Sequence, residues 1–439
     1  AARETRASWR RLIVFFVCMS VGVGAIVALR SVIQSVRAVF DQLGAAMQAR
    51  GGGGSPADSP GMHNVHADLS NDGRFVTFTA DWSVLSGGSQ SYRQDIVVYD
   101  RDVDGNGVFD EPGTTNLALV SASGADVRGN ANSYYPVVSD GGRFVTFLSV
   151  ATNLVSGVTD GRIHVYTRDR DTDGDGVFDE PGSVATTLQD QTAAGTPAND
   201  SAESHVDMSV DGRYVVFASP ATDLAGGDSE FCGSCRSTDV FLRDRDADED
   251  GVFDEPGIGA TSTTLVSNSS NPNVRIGDNP AISADGQWVS FRGWVQKPSG
   301  PIVQSVVVRD PAGALPVVSV HQTTGAAEDG AGANRAAMSR NGNFIAFESF
   351  SANLVSGDTN GRNDIFQTNI VQGVPQSITV SMTPDAWLTG PGASEVPLAS
   401  ISTDRLRTLR PDLVNAAGRY KTSGMQRHAG TGVRRTSGT

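Results

Sequence analysis

The sequence predicts an all-β fold, a β-propeller of five four-stranded blades preceded by an N-terminal hydrophobic helix. Three observations carry this. One phrase, Ser-x-(Asp/Asn/Gly)-Gly-x-aromatic-(Val/Ile)-x-Phe, stands at Ser70, Ser139, Ser209, Ser283 and Ser339, at intervals of 69, 70, 74 and 56 residues. Helix-like periodicity is nearly absent between the copies, and 50 of the 439 residues are Gly, as all-β chains with many tight turns require. The strand in each phrase is apolar on both faces, so each unit is a sheet packed between similar sheets.

The elements follow in chain order. Leu12–Leu29 is an 18-residue apolar run behind Arg3, Arg6, Arg10 and Arg11, just long enough to span a bilayer with the rest of the chain exported. No small-x-small site follows it and Arg30 comes at once, which favours a membrane anchor over a cleaved signal peptide. Val32, Val36, Val39, Phe40, Leu43 and Met47 continue it as an amphipathic helix to about residue 50, and 51–61 form a Gly/Ser/Pro linker. The propeller occupies 62–380. The tail, 381–439, has no sixth Ser-x-Asp-Gly phrase and no apolar stripe, and reads as disordered.

Within the second unit, strand A is expected at 135–139, B at 143–148, C at 163–168 and D at 185–188. The Gly of the phrase supplies the positive φ of the A–B hairpin, and the acid beside it bonds its own backbone. Four antiparallel strands in a meander, repeated, make propeller blades. The phrase, followed in the fifth unit by Asn353-Leu354-Val355-Ser356-Gly357-Asp358-Thr359-Asn360-Gly361 and Asp364-Ile365-Phe366, resembles the TolB-like, WD-repeat-like propeller family of bacterial envelope proteins. That resemblance implies a six-bladed ring, so the ring closes with five blades or carries a sixth, degenerate one. It specifies fold and says little about function. Unit two departs from the pattern with Val158 in place of the acid and His164 at the position of Asp364.

Three C–D loops are near copies beginning Asp-Arg-Asp. Their oxygen-bearing residues are Asp102, Asp104, Asn106, Asp110 and Glu111; Asp171, Asp173, Asp175, Asp179 and Glu180; and Asp246, Asp248, Asp250, Asp254 and Glu255. Oxygens at positions 1, 3, 5 and 9, Gly at 6 and a carbonyl at 7 reproduce the spacing of an EF-hand-type loop, so up to three structural Ca²⁺ ions are expected. Position 12 is Gly rather than Glu. Glu at position 10, or Asp100, Asp169 and Asp244, would have to complete the shell; solvated acidic turns are the competing reading.

Charge narrows the partners. The net charge is −15, and both ends of the chain are basic, so the repeat region is more acidic still; nucleic acid is excluded as a partner. Cys232 and Cys235, in Cys-Gly-Ser-Cys, are candidates for a small loop disulfide in an oxidising compartment, or for a redox dithiol. In a meander the A–B turns and C–D loops share one end of the disc; the B–C loops and D–A connections share the other. At that second end Tyr134, Tyr135, Glu203, His205, Asp278 and Arg335 do not repeat from unit to unit and are the ligand-binding candidates. The expected role is a non-catalytic, extracytoplasmic platform, periplasmic or at the cell surface, for protein or glycan, with the membrane engaged through the N-terminal helix. A propeller hydrolase is the alternative, with Glu203 and Asp278 as its carboxylates. A propeller that gates an attached α/β-hydrolase peptidase is not expected, since about 60 residues follow the last blade and no Gly-x-Ser-x-Gly occurs.

Overall fold

The computed structural model describes residues 66–380 with short internal gaps: 88, 90, 204, 227–237, 258, 268–273, 297–301, 321–332, 356–362 and 371–377. The hydrophobic N-terminal segment, the linker, Cys232, Cys235 and the tail lie outside the described residues. Among the described residues no helix is long and apolar enough to cross a membrane.

The chain is a succession of antiparallel meanders. The first comprises β1 (Ala67–Leu69), β2 (Phe75–Ala80), β3 (Asp95–Asp100) and β4 (Asn116–Leu119), with a single helical turn, α1 (Trp82–Leu85), between β2 and β3. The second comprises β5 (Ser133–Val138), β6 (Phe144–Ser149), β7 (His164–Asp169) and β8 (Ala185–Leu188). The third comprises β9 (Val206–Met208), β10 (Tyr214–Ser219), β11 (Asp239–Asp244) and β12 (Ser262–Leu265). The fourth has three strands, β13 (Val274–Ile282), β14 (Val289–Gln296) and β15 (Ile302–Arg309), and a lone Val307–Val317 bridge stands where the expected fourth strand would run. The fifth comprises β16 (Ala333–Met338), β17 (Phe344–Ser349), β18 (Asp364–Asn369) and β19 (Ile378–Val380). The strands of unit two fall within two residues of expectation at each end.

The repeated phrase is a self-contained turn. The Ser70 hydroxyl accepts the Phe75 N–H (2.9 Å) and donates to Asp72 (2.6 Å), whose carboxylate also accepts the Arg74 N–H (3.0 Å). The same serine-to-backbone bond recurs at Ser139, Ser209, Ser283 and Ser339. The glycine has a second duty. The aromatic residue of each phrase presses on the turn glycine of the next sheet, and a Cβ at Gly142, Gly212, Gly286 or Gly342 would lie 2.4, 2.3, 2.1 or 2.6 Å from the ring of Phe75, Phe144, Tyr214 or Trp288. Positive φ (75° and 80° at Gly142 and Gly212) and this close approach both require glycine.

The core is a series of intersheet layers, such as Phe144 and Leu148 of the second sheet against Val215 and Phe217 of the third. The first strands of successive sheets touch one another, so they line the axis. Around that axis the turns bond in sequence, Asp140 N–H to Val210 O (3.0 Å), Val210 N–H to Ala284 O (3.1 Å) and Ala284 N–H to Arg340 O (2.8 Å). The Arg340 side chain then reaches back to Asp140 of the second sheet. The sheets therefore wrap about an axis as propeller blades do, rather than lying in an open row.

Candidate functional site

The two ends of the disc are separated as the meander requires. Arg101 Nη1 donates to Gly73 O (2.8 Å), joining the first acidic loop to the A–B turn of its own sheet. At the other end Asn199 of a D–A connection donates to Thr222 of a B–C loop (2.9 Å).

In the acidic loops the residue at position 1 organises the backbone. Asp102 accepts the N–H groups of Asn106 and Gly107 (3.0 and 2.8 Å), Asp171 those of Gly174, Asp175 and Gly176 (2.9, 3.1 and 3.0 Å), and Asp246 those of Asp250 and Gly251 (3.0 and 3.2 Å). Position 5 accepts the N–H of position 7: Asn106 from Val108, Asp175 from Val177 and Asp250 from Val252. Carboxylate oxygens of Asp171, Asp173 and Asp175 come within 4.8 Å of one another, as do those of Asp246, Asp248 and Asp250. Like charges at that distance repel, which a bound cation would offset. In the first loop Asn106 Nδ2 bridges Asp104 (3.1 Å) and Glu111 (2.7 Å). Glu255 at position 10 feels its cluster: Asp250, then burial, then Asp248 and Asp246 push its carboxyl above the ordinary value.

The position-9 acids and the Asp before each loop face elsewhere. Asp110, Asp179 and Asp254 each bind the guanidinium of the Asp-Arg-Asp arginine, with Nη2–O distances of 2.6 Å to Arg101, Arg170 and Arg245. Asp100, Asp169 and Asp244, which sequence spacing offered as extra ligands, instead hold Arg74, Arg143 and Arg213. A hard cation is thus left positions 1, 3 and 5, the position-7 carbonyl and, in the third loop, the influence of Glu255. Those oxygens fit Ca²⁺ as a partial shell. Spacing could not show the arginines' role. Arg170 and Arg245 are only 1% exposed, with Arg170 stacked on Phe178 (4.8 Å) and Phe75 (5.5 Å). Their only trace in the sequence is their presence in all three copies.

At the opposite end the inner strands carry a repeated irregularity. Four residues before each phrase serine the backbone turns left-handed: His66 (φ 66°), Tyr135 (51°), His205 (84°) and Asn279 (49°). The β5–β6 and β13–β14 registers slip at this point, between Tyr134 and Val137 and between Asp278 and Ala281, which marks a β-bulge. The fifth copy is Arg335, whose register slips likewise between Ala333 and Ala336; its side chain is outside the described set.

This geometry brings Tyr135 and His205 together, with ring centroids 5.0 Å apart, and adds His66 on the other side of Tyr135 at 3.9 Å. Tyr134 and Tyr135 both pack, partly buried, against the layer between the second and third sheets. Glu203 is exposed and accepts the Thr238 hydroxyl (2.9 Å). Asp278 is gripped by the Arg292 guanidinium (Nε–Oδ1 2.6 Å), so it is not poised as a free acid or base. His66 was missed because its neighbours in sequence give no strand pattern.

Two further carboxylates were missed. Asp68 on β1 accepts the Val138 N–H of the next sheet's inner strand (2.9 Å), and Asp207 on β9 accepts that of Ile282 (2.9 Å). Burial, and secondarily the charge of Asp68, pushes Asp207 up to about 7 against backbone bonds that favour ionisation; burial also raises Asp68. At this same end, between the B–C loop and the D–A connection, buried His164 has Nδ1 2.8 Å from Asp190 and Nε2 3.1 Å from Asp160. Burial alone would lower its pKa, but the two carboxylates outweigh it and hold the imidazole above its ordinary value.

No protein-family profile matches this chain, and no curated protein does. Among solved structures it is similar to TolB from Acinetobacter baumannii, at 13% identity and a TM-score of 0.37, over 73% of this chain and 55% of that one. The similarity therefore spans about half the length of that protein. A putative TolB from Agrobacterium tumefaciens is 12% identical, with a TM-score of 0.37 and 73% and 82% of the two chains covered. An oligogalacturonate lyase in complex with manganese is 11% identical, with a TM-score of 0.40 and coverage of 72% and 65%.

Proposed function

We propose that this chain is a non-catalytic, calcium-stabilised propeller on the extracytoplasmic side of a bacterial envelope, held there by its N-terminal helix, which binds protein or glycan at the end bearing Tyr135 and His205. The observation that carries this reading is the repeated bulge. One backbone device in the first four units presents three kinds of side chain, at His66, Tyr135, His205 and Asn279. A scaffold that repeats while its displayed groups vary is the arrangement expected of a recognition surface. Adjacent tilted rings with polar tips suit a sugar face or a peptide side chain. In an oxidising compartment Cys232 and Cys235 would close their loop.

At the other end the clustered carboxylates of Asp171, Asp173 and Asp175, and of Asp246, Asp248 and Asp250, support Ca²⁺ binding. When bound, the ion neutralises their mutual repulsion. Backbone N–H groups of the loop hold Asp171 and Asp246, and the Ser183 hydroxyl donates to Asp173 (2.8 Å). One experiment tests both parts: capture of envelope proteins and glycans by the exported domain, with Tyr135→Ala and His205→Ala as comparisons, alongside thermal unfolding with and without chelator. Loss of capture in both variants supports the reading. Capture indifferent to both removes the proposed surface, and a transition unmoved by chelator removes the metal.

A propeller hydrolase is the second reading, and one observation favours it: Asp207, with its raised pKa, feels the charge of Asp68 on another inner strand. Turnover of a glycoside or ester that Asp207→Asn abolishes, with the fold intact, would make it the better one.

A further inference from the structure

Four sheets pass an aromatic ring forward onto a glycine; among the described residues the fifth does not. Phe344 of β17 occupies the place of Phe75, Phe144, Tyr214 and Trp288, yet it is 38% exposed. Ala346 and Phe350, on the same face of the strand, are exposed too, whereas Phe75, Thr77 and Thr79 on the matching face of β2 are buried. The turn glycine of the first sheet does not receive Phe344: among the described residues a Cβ on Gly73 would meet only Phe109 (3.7 Å) and Arg101 (3.8 Å) of the same sheet's acidic loop. The rear face of β2 and β3, formed by Val76, Phe78, Ala80, Val97 and Tyr99, is buried, in an apolar cluster whose described members all come from the first unit, 66–119. Among the described residues, the seam between the fifth and first sheets is the one junction made without a ring on a glycine.

We propose that a turn from this chain's own C-terminal region, residues 412–420, docks in that seam. Its sequence is Asp412-Leu413-Val414-Asn415-Ala416-Ala417-Gly418-Arg419-Tyr420. Gly418-Arg419-Tyr420 repeats Gly212-Arg213-Tyr214, and Asn415 stands at the serine position, 76 residues after Ser339. Leu413 and Val414 stand where the apolar end of each inner strand precedes the phrase. Gly418 is the seat for Phe344, because a residue with a Cβ would collide with the ring as it would at the four existing junctions. Tyr420 then supplies the ring that Gly73 lacks. The copy ends there, since Lys421-Thr422-Ser423 do not continue an apolar strand. The occupant is therefore a turn and its flanking strand, not a complete sheet.

The test is a photo-crosslink in the full-length chain. p-Benzoylphenylalanine in place of Phe344 is expected to label the peptide containing residues 415–421 of the same molecule, and Gly418→Val to abolish that label. The same probe in place of Phe144 should label the Gly212 turn in either background, reporting an intact fold. Labelling of the turn at Gly73 would mean that the fifth sheet closes directly on the first. Labelling between isotopically light and heavy chains would mean that a second copy fills the seam. No label at 344 while the control labels would mean that nothing fills it. Each of these three overturns the proposal.

Discussion

The two ends of this propeller follow opposite rules. At the loop end, backbone and side chains both repeat: Arg101, Arg170 and Arg245 make the same bonds to Asp110, Asp179 and Asp254, and to the carbonyls of Gly73, Gly142 and Gly212. At the other end the D–A to B–C bonds of Asn130 and Asn199 repeat as well, but at the bulge itself only the backbone repeats, and His, Tyr, His and Asn stand at the same place. Identical contents at equivalent positions indicate a common structural task, here fastening a long loop to its sheet. Unlike contents on a common backbone indicate that the backbone is the support and the side chains are the variable.

The largest test of that contrast is Arg170→Ala. The change strands Asp179, frees the Gly142 carbonyl and removes a cation from between two rings. Breaking one partner of a buried ion pair costs about 3–5 kcal/mol. Urea unfolding should show a loss of that size, and Arg245→Ala a similar one. A loss below about 1 kcal/mol would break the comparison, because the loop end would then be decoration rather than fastening.

A smaller effect separates the axis from the loops. Asp207 is raised to about 7, so its contribution to stability is complete below the unfolded carboxyl's 3.8 and is lost as pH rises through about 7. Asp207→Asn should flatten the stability profile across that window. The difference should reach at most about 4 kcal/mol, and less to the extent that water enters beside this half-buried residue. His164 is also raised, so its contribution is present below 6.5 and is lost above it, and that limb should survive in Asp207→Asn. Chemical denaturation from pH 4 to pH 9 checks both limbs. A profile identical to that of the parent protein would show that the axial carboxylate is solvated like any surface acid.

These tests fall where the sequence was least legible. The phrase revealed turns, strands and stacking because its signals are local: a hydroxyl five residues from the N–H it accepts, a glycine at positive φ, alternating apolar faces. The acidic loops were legible in spacing but not in orientation. Whether Asp179 faces a cation or Arg170 depends on a guanidinium that packs on Phe75 of another sheet, and no local pattern encodes that contact. Tyr135 and His205 stood out because they failed to repeat, yet their partner His66 and the bulge that aims all three are properties of register. Glu203 and Asp278 were visible as carboxylates, but Arg292, which holds Asp278, is 14 residues away on β14.

The finest test acts on the bulge itself. Tyr135 is held left-handed at φ 51°, where a Cβ costs roughly 1 kcal/mol that glycine does not incur. Tyr135→Gly therefore relieves strain while deleting a ring that sits 3.9 Å from His66 and 5.0 Å from His205. Ring contacts of this kind are worth about 0.5–1.5 kcal/mol beyond area burial, and the half-buried ring also packs on the layer between the second and third sheets, so strain relief offsets part of the loss and the variant should be destabilised by no more than about 2 kcal/mol. Capture of the ligand should nevertheless fall at least tenfold, because the ring is the displayed group. Tyr135→Ala keeps the strain and loses the ring, and should be less stable than Tyr135→Gly while binding equally poorly. If both variants are destabilised alike by several kcal/mol, Tyr135 is a packing residue, and the bulge end obeys the same rule as the loops.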